Sequence, residues 1–491
     1  MRRRRLMLGA ALGWAGRAAP AQSGFDQIPA PGPAEPLPEP LLDEFGLDNG
    51  LRVLLGRRPG FPLVTARLVL DLGTLLDPPG KAGMAQLAAQ MLGKGVQRSD
   101  AAGQDAAEIA FAIERLGATL DIVTAAQHSS LALTLASPRL DEGLALLADL
   151  ARRPSLPEPE LERGRAQLLD ALKLNLADPA ALAGLLGPRL FWGPGPYGQS
   201  ASPASLARLR REEVLALLRQ RLRPDATVLI LSGEVEPAQA RALAQRHFGG
   251  WRQNRMAPPP QPPSAPPPAA APAALLVDLP GAGQSAVQLL APFAARADLA
   301  AQRDGALANA VLGQGYSSRL SQEVRIRRAL SYGASSSTEC LPGGGVLSAQ
   351  ALTQHASAAE VAVLMREQIL RLAREPVGAA ELEARRASLL GEHGRQLETT
   401  AGLAALLAEQ LARGRAPLAL ARLPAEWAAV GAAQLQAFAA AHWQAERLRC
   451  VVVADLAAAG EGLRRLDPQA RVIRAAELDL DSPSLRRGAR A

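Results

Sequence analysis

The sequence predicts an α+β protein of two homologous halves, each with mixed or antiparallel sheets packed with helices in two layers. Each half runs from strands to helices and back to strands, an order typical of such layers rather than of a doubly wound parallel sheet. A proline-rich tract at residues 257–274 separates the halves. Short patterns also recur in order: LGKG at residues 92–95 returns as LGQG at 312–315, and the apolar strand Thr227–Leu231 returns as Cys450–Val453. This order and spacing indicate an internal duplication.

Hydrophobic periodicity places the elements of the first half. The alternation of apolar and polar residues in Leu63–Leu72 predicts a strand that is buried on one face only. The other predicted elements of this half are the strand Leu51–Leu55, the hairpin Thr119–Thr124 with Ser130–Leu135, and the helices Met84–Leu92, Ala106–Leu116, Leu140–Arg152 and Glu160–Leu176.

Two glycine-rich segments mark turns in the second half. Residues 313–315 (GQG) lack the Gly-Lys-Ser/Thr ending of a phosphate loop and follow no strand, so they predict a helix C-terminus. Residues 343–345 (GGG) predict a hairpin turn before the strand Val346–Leu352.

The N-terminus is typical of an export signal. Residues 2–5 are all arginine, residues 6–16 form a short apolar segment, and Ala19-Pro20-Ala21 offers a cleavage site. The apolar segment is shorter than the ~20 residues that span a bilayer. We therefore expect a signal peptide at 1–21, of either the general or the twin-arginine export type, and a periplasmic protein with no membrane span.

The remaining boundaries follow from composition. A proline-rich tail occupies residues 22–40, the first half 41–256, the linker 257–274, the second half 275–475 and a basic tail 476–491. The net charge of +7 lies mostly at the two ends, and aromatic residues make up only 3%. A nucleic-acid-binding protein would need a basic stripe with interleaved aromatics, so nucleic acid is not expected as a partner.

Metal-ligating residue types are scarce. The chain has five histidines, no two of them close in sequence, and two cysteines, Cys340 and Cys450. Zinc ribbons and disulfide frameworks are therefore excluded. Export would permit a single disulfide between these cysteines, which the sequence alone leaves open.

Several motifs resemble the pitrilysin/insulinase (M16) family of zinc peptidases. They are GLDNGLRV at residues 46–53, GTLLDPPGKAG at 73–83 with the following MAQLAAQMLGKG, FWGPGPYG at 191–198, and GQGYSSRLSQEVRIRRALSY at 313–332. The resemblance covers residues 41 to 460 and implies the two-halved, clam-like architecture of that family.

In active family members, the helix that matches Met84–Leu92 carries the inverted zinc motif His-x-x-Glu-His, and a later helix supplies a carboxylate ligand. Two imidazoles one helical turn apart can bind one zinc, and the glutamate acts as general base. The matching positions in this sequence are Gln86, Ala89, Gln90 and Ala171. Glutamine amides are weak neutral ligands and alanine can neither coordinate nor take a proton, so we expect this chain to bind no zinc.

The resemblance implies a different role for the second half. In the family, an arginine and a tyrosine at the spacing of Arg325 and Tyr332 bind the substrate backbone and stabilise the oxyanion. Neighbouring Arg327 and Arg328 leave the choice of arginine open.

A lost metal site beside a retained Arg/Tyr pair resembles the non-catalytic subunit of bacterial two-subunit M16 peptidases. This predicts a chain that is inactive alone and forms a heterodimer with a zinc-bearing M16 sister chain, which together hydrolyse unfolded peptides. The alternative is a scaffold or peptide-binding module with no proteolytic role. The sequence identifies neither the substrate nor the partner chain.

Overall fold

The first half is built around a six-stranded sheet. The computed structural model describes residues 39–97, 103–252 and 273–488, so the predicted signal peptide and most of the linker lie outside the described residues. The strands of this sheet are β1 Leu41–Gly46, β2 Arg52–Arg57, β3 Leu63–Leu70, β6 Thr119–Thr124, β7 Ser129–Ala136 and β8 Thr227–Gly233. The first half also contains a separate short pair, β4 Gly95–Val96 and β5 Gln104–Asp105.

Helices follow the strands of this half in the predicted order. They are α1 Met84–Met91, α2 Ala106–Arg115, α3 Leu140–Arg152, α4 Glu158–Ala177, α5 Pro179–Trp192, α6 Pro203–Ala207, α7 Arg211–Arg221 and α8 Pro237–Phe248. The predicted end of α4 before Pro179 is right, and that proline begins the next helix, where its missing N–H costs no hydrogen bond.

The second half repeats this plan. Its strands are β9 Ala274–Asp278, β10 Ser285–Phe293, β11 Ala334–Leu341, β12 Gly344–Thr353, β13 Arg449–Ala454 and β14 Arg471–Arg474. Its helices are α9 Leu299–Gly313, α10 Ala358–Arg374, α11 Ala379–Leu397, α12 Thr400–Ala412, α13 Leu423–Ala428, α14 Ala432–His442, α15 Leu456–Ala459 and α16 Gly462–Leu466. As predicted, the GQG segment follows a helix end, with Gly315 at φ +79°.

The two sheets share one strand order over five strands, which supports the predicted duplication. The first sheet runs β1-β2-β8-β3-β7-β6 and the second, taken from its opposite edge, β14-β9-β13-β10-β12-β11. In each, a parallel pair (β2 with β8, β9 with β13) adjoins an antiparallel neighbour (β3 or β10). The fold is therefore the mixed α+β, two-halved architecture that the sequence predicts.

One helix from each half crosses to the sheet of the other half. Helix α5 packs on β10 and β13 of the second sheet, while α12 packs on β3 and β8 of the first. Leu186 and Leu190 of α5 join Leu290 and Val451 in one buried cluster, which also takes in Leu485 near the C-terminus. In a second buried cluster, Leu403 and Leu407 of α12 pack with Leu54, Val69 and Ile230 of the first sheet.

This crossing explains why one sequence expectation is wrong. Strand β3 was expected to bury one face, yet its second face is covered by α12. Thr65 is only 1% exposed and its hydroxyl lies 2.9 Å from the hydroxyl of Thr400 at the start of α12. At the other crossing, a glycine permits α5 to approach β10 closely: a Cβ on Gly187 of α5 would lie 2.5 Å from Oε1 of Gln288 in β10. Residues 40–491 accordingly form one compact unit.

Both cysteines are free thiols in this structure. Cys340 lies in β11 and Cys450 in β13, with β12 and β10 between them. Three strand spacings separate them by roughly 14 Å, too far for a disulfide. Among the described residues, no helix is long and apolar enough to cross a membrane.

Candidate functional site

Helix α1 carries three of the four zinc-motif positions. It starts after Gly83, whose φ of +97° suits a residue without a side chain. The carboxylate of Asp77 accepts hydrogen bonds from the backbone N–H groups of Gly83 (2.8 Å) and Ala85 (2.7 Å), and so fixes the start of the helix.

Gln86 and Gln90 lie one helical turn apart on the same face, whereas Ala89 points into the core. Gln86 is exposed, Gln90 is half-buried, and Ala89 is fully buried in the core of the first half. A glutamate at position 89 would therefore have to enter the core, where an unpaired carboxylate is strongly destabilised. The position that the resemblance matches to the general base is therefore a packing position in this chain.

The fourth position lies on α4, which packs against α1. The helices approach closely at Gly164, where a Cβ would lie 3.0 Å from Cδ1 of Leu87. Gln86 and Ala171 line the same cavity of about 210 Å³, together with Asp77 and Asn175. Further along the two helices, Gln90 and Gln167 line a second cavity of about 600 Å³. We call this face of α1 and α4 the amide seam, defined by Gln86, Gln90, Gln167 and Asn175.

The side chains of the amide seam do not fit a zinc ion. Zinc sites in proteins use imidazole, thiolate or carboxylate ligands, whereas the seam offers neutral amides and the methyl group of Ala171. The adjacent carboxylate, Asp170, lies 2.8 Å from Nζ of Lys173 in an exposed ion pair and does not line the cavity. Within residues 39–97, 103–252 and 273–488, no cluster of three His, Cys, Asp or Glu side chains could hold a metal ion. That this chain binds no zinc stays a prediction.

The sequence did not reveal Asp77 as a member of this site. Burial raises its pKa to about 7, against the lowering effect of the backbone N–H groups that it accepts. It lies seven positions before the first helical residue, outside the N-cap position where capping residues are usually sought. An aspartate directly before the Pro78-Pro79 turn was the only available signal.

The amide seam borders an unpaired strand edge. Strand β6 is the last strand of its sheet in the described part of the chain, and its residues Leu120 and Ile122 line the same cavity as Gln90. Oε1 of Gln90 is buried and has no hydrogen-bond partner among the described residues. Free backbone groups beside amides and apolar side chains can accept an extended polypeptide as an added strand.

Arg325 and Tyr332 lie on the surface of the second half. Arg325 belongs to the π-helical segment Ser321–Arg327, and its guanidinium lies 5.1 Å above the ring of Tyr316. Tyr332 is 90% exposed. Neither lines the cavity of Gln86 and Ala171, so the structure does not bring the Arg/Tyr pair and the zinc-motif positions together within one chain.

Ion pairs distinguish the three neighbouring arginines. Arg327 and Arg328 both bind the carboxylate of Glu323, at 3.1 and 3.0 Å. Arg325 has no ion pair with any described residue. Of the three, Arg325 is the guanidinium left available for a group outside the chain.

Comparison with known proteins identifies the family of this chain. Residues 52–180 match the family model described as insulinase (peptidase family M16), and residues 208–389 match the one described as the peptidase M16 inactive domain. Together they cover well over half of the chain. The chain belongs to the M16 peptidase family.

Similar M16 proteins include enzymes and subunits of complexes. An uncharacterised zinc protease of Mycobacterium leprae is 25% identical over 70% of this chain and 76% of its own length. Subunit 1 of the bovine mitochondrial cytochrome b-c1 complex is 26% identical over 42% of each chain.

Solved structures show the same M16 fold. A peptidase M16 inactive domain from Pseudomonas fluorescens has a TM-score of 0.75 at 22% identity and covers 84% of this chain and 97% of its own. The periplasmic protease PqqL from Escherichia coli has a TM-score of 0.69 at 16% identity, over 86% of this chain and 46% of its own.

Proposed function

We propose that this chain is the non-catalytic subunit of an exported M16 zinc peptidase. On this proposal it contributes Arg325 and Tyr332 to a site whose zinc is held by a sister chain. The observation that carries the proposal is the combination of an amide seam unsuited to zinc with an exposed arginine that has no ion pair among the described residues and a tyrosine that is 90% exposed.

The surface around the Arg/Tyr pair supports a role in contact with another molecule. Tyr316 is 62% exposed, Ile326 40% and Tyr332 90%. Tyrosine and arginine are enriched at protein interfaces and at their energetic hot spots, and a tyrosine this exposed gains little from folding alone. We name residues 316–332 the Arg/Tyr segment.

The chemistry of the pair suits a substrate carbonyl that becomes an oxyanion. The guanidinium of Arg325 and the phenol of Tyr332 are both hydrogen-bond donors, and donors aimed at developing negative charge stabilise the transition state. The left-handed Ala329 (φ +52°) lies between them and gives the backbone a defined bend. The zinc and the general base would come from the sister chain.

The amide seam would bind peptide without cleaving it. A carboxamide offers both a donor and an acceptor, as a peptide group does, so the seam and the free edge of β6 complement an extended chain. Export to the periplasm is proposed from the basic and apolar N-terminal residues 1–21, and it agrees with the compartment named for the similar E. coli protease.

The decisive experiment reconstitutes this chain with a co-purifying M16 sister chain and measures peptide hydrolysis. Removing one oxyanion donor costs about 100-fold or more in kcat, so Arg325→Ala should lower turnover by about that factor while the complex still assembles. Arg327→Ala is the matched control, because Arg327 is engaged by Glu323, and it should change turnover less than about 3-fold. Equal effects of the two variants would remove Arg325 from the proposed role.

The second candidate function is a scaffold or peptide-binding module with no peptidase partner. The similarity to a subunit of the cytochrome b-c1 complex and the free edge of β6 favour it. If native pull-downs recover this chain with no zinc-bearing M16 protein, yet it still binds unfolded peptides, this function replaces the first.

A further inference from the structure

A large cleft on the first half is lined by arginines. It lies between the end of α3 with the loop after it, α7, and residues 250–252, and has a volume of about 1010 Å³. None of its described lining residues is acidic. Five of them are arginines: Arg152, Arg153, Arg211, Arg219 and Arg252. These residues are scattered over a hundred positions of the sequence, so only the fold brings them together.

Two of the arginines are held in place by the backbone. Nη1 of Arg152 donates to the carbonyl of His247 at 2.7 Å. Arg211 donates to the carbonyls of Leu156 at 2.7 Å and Ser155 at 3.0 Å. Neutral carbonyls orient a guanidinium without cancelling its charge, so the cleft is preorganised for an anion.

Two carboxylates form long ion pairs with arginines of the cleft. Asp149 lies 3.5 Å from Arg153, and Glu158 lies 3.7 Å from Arg211, both beyond ordinary hydrogen-bond length. Burial and the nearby charge of Arg153 lower the pKa of Arg152. The arginines of the cleft repel one another in the isolated chain. A bound anion would offset this repulsion.

The floor of the cleft is apolar only in part. Leu215 in α7 and Leu222 just beyond its end are half-buried and expose part of their side chains, whereas Leu218 and Trp251 behind them are buried. An occupant that matches both floor and rim therefore carries apolar groups and negative charges at short intervals.

We propose that this cleft is a docking site for an acidic polypeptide segment in which leucine-like and carboxylate side chains alternate. Side-chain carboxylates reach into a recess, while neighbouring apolar side chains cover the leucines. A bilayer presents a flat surface that does not enter a recess, and the one aromatic side chain among the described lining residues, Trp251, is too buried for a base to stack on it. The inference rests on residues of the first half alone and holds whether or not Arg325 acts in catalysis.

The test is fluorescence anisotropy on the purified mature chain with a short labelled peptide of alternating leucine and glutamate. A leucine–glutamine peptide of equal length is the ligand control. The cleft variant is Arg153→Glu/Arg252→Glu, which spares the two backbone-anchored arginines. Its matched control is Arg465→Glu/Arg487→Glu, two exposed arginines on the second half that give the same change in net charge.

We expect the glutamate peptide to bind, with affinity that falls as salt rises from about 50 to about 200 mM. The cleft variant should bind at least about 10-fold more weakly, and the control variant within about 3-fold of wild type. The proposal fails if the glutamate peptide does not bind, if both peptides bind equally, or if both variants lose affinity alike. It also fails if inorganic phosphate, ATP, a DNA oligonucleotide or anionic vesicles displace the peptide at lower concentration than the unlabelled peptide does.

Discussion

The amide seam can be converted into a metal site by three substitutions. Gln86→His and Gln90→His place two imidazoles one helical turn apart, and Ala171→Glu supplies a carboxylate in the cavity that Gln86 already lines. We expect this triple variant to bind one zinc ion per chain, while the wild-type chain binds none.

The structure indicates that the triple variant folds. Gln86 and Ala171 are exposed, and Oε1 of Gln90 has no partner to lose, so the combined cost of the substitutions is about 1 kcal/mol. Ala89 is left unchanged because it is fully buried, and the variant therefore tests metal binding rather than peptidase activity. Zinc at about 1,000 times its Kd should stabilise the variant by about 4 kcal/mol. For a chain of this length that is a rise in Tm of about 4 °C.

The assay is elemental analysis after dialysis, with thermal unfolding in the presence and absence of zinc. The matched control carries Gln86→His, Gln90→His and Asp170→Glu, with Ala171 retained. A one-residue step turns a helical side chain by about 100°, so the glutamate at position 170 points away and the control should bind zinc far more weakly. One tightly bound zinc in the wild-type chain, or equal binding by the variant and its control, would refute the reasoning.

Two further predictions concern stability. Because the pKa of Asp77 is raised from 3.8 to about 7, its contribution is present below about pH 4 and is lost as pH rises through 7. The free energy of unfolding should therefore fall by about 2–3 kcal/mol between about pH 5 and pH 8 in wild type relative to Asp77→Asn, as measured by urea titration; parallel pH profiles would contradict this. Leu407→Ala should cost about 3 kcal/mol because Leu407 is 1% exposed beneath the first sheet. Hydrogen exchange should quicken in β3 and β8, although the substitution lies in the second half; a change confined to the second half would contradict the crossing contact.

Local patterns in the sequence predicted the elements well. The helix Leu140–Arg152 has the predicted bounds, because its apolar face repeats at helical spacing beside polar ends. Local patterns do not indicate which other element packs against each face of a strand or helix. The outer face of β3 carries Thr65 and Arg67, which look exposed in sequence, and only the arrival of α12 buries Thr65.

The candidate site was predicted unevenly for the same reason. Positions 86, 89, 90 and 171 followed from the resemblance to a family helix, and the structure adds that Gln86 and Ala171 share a cavity. The arginine cleft depends on residues distant in sequence, so no motif could indicate it. Asp77 binds backbone groups only six and eight residues away, but its burial could not be predicted from the local pattern. The choice of Arg325 over its neighbours required the ion pairs of Glu323.

The exchange of α5 and α12 determines what holds the chain together. A single half produced alone would expose the sheet face that the helix of the other half covers. We therefore expect an isolated half to be stable only when a second copy supplies the missing helix. The packing of α5 on the second sheet and of α12 on the first holds the halves together. We therefore expect the two halves to stay associated after a protease cuts the chain between residues 252 and 273.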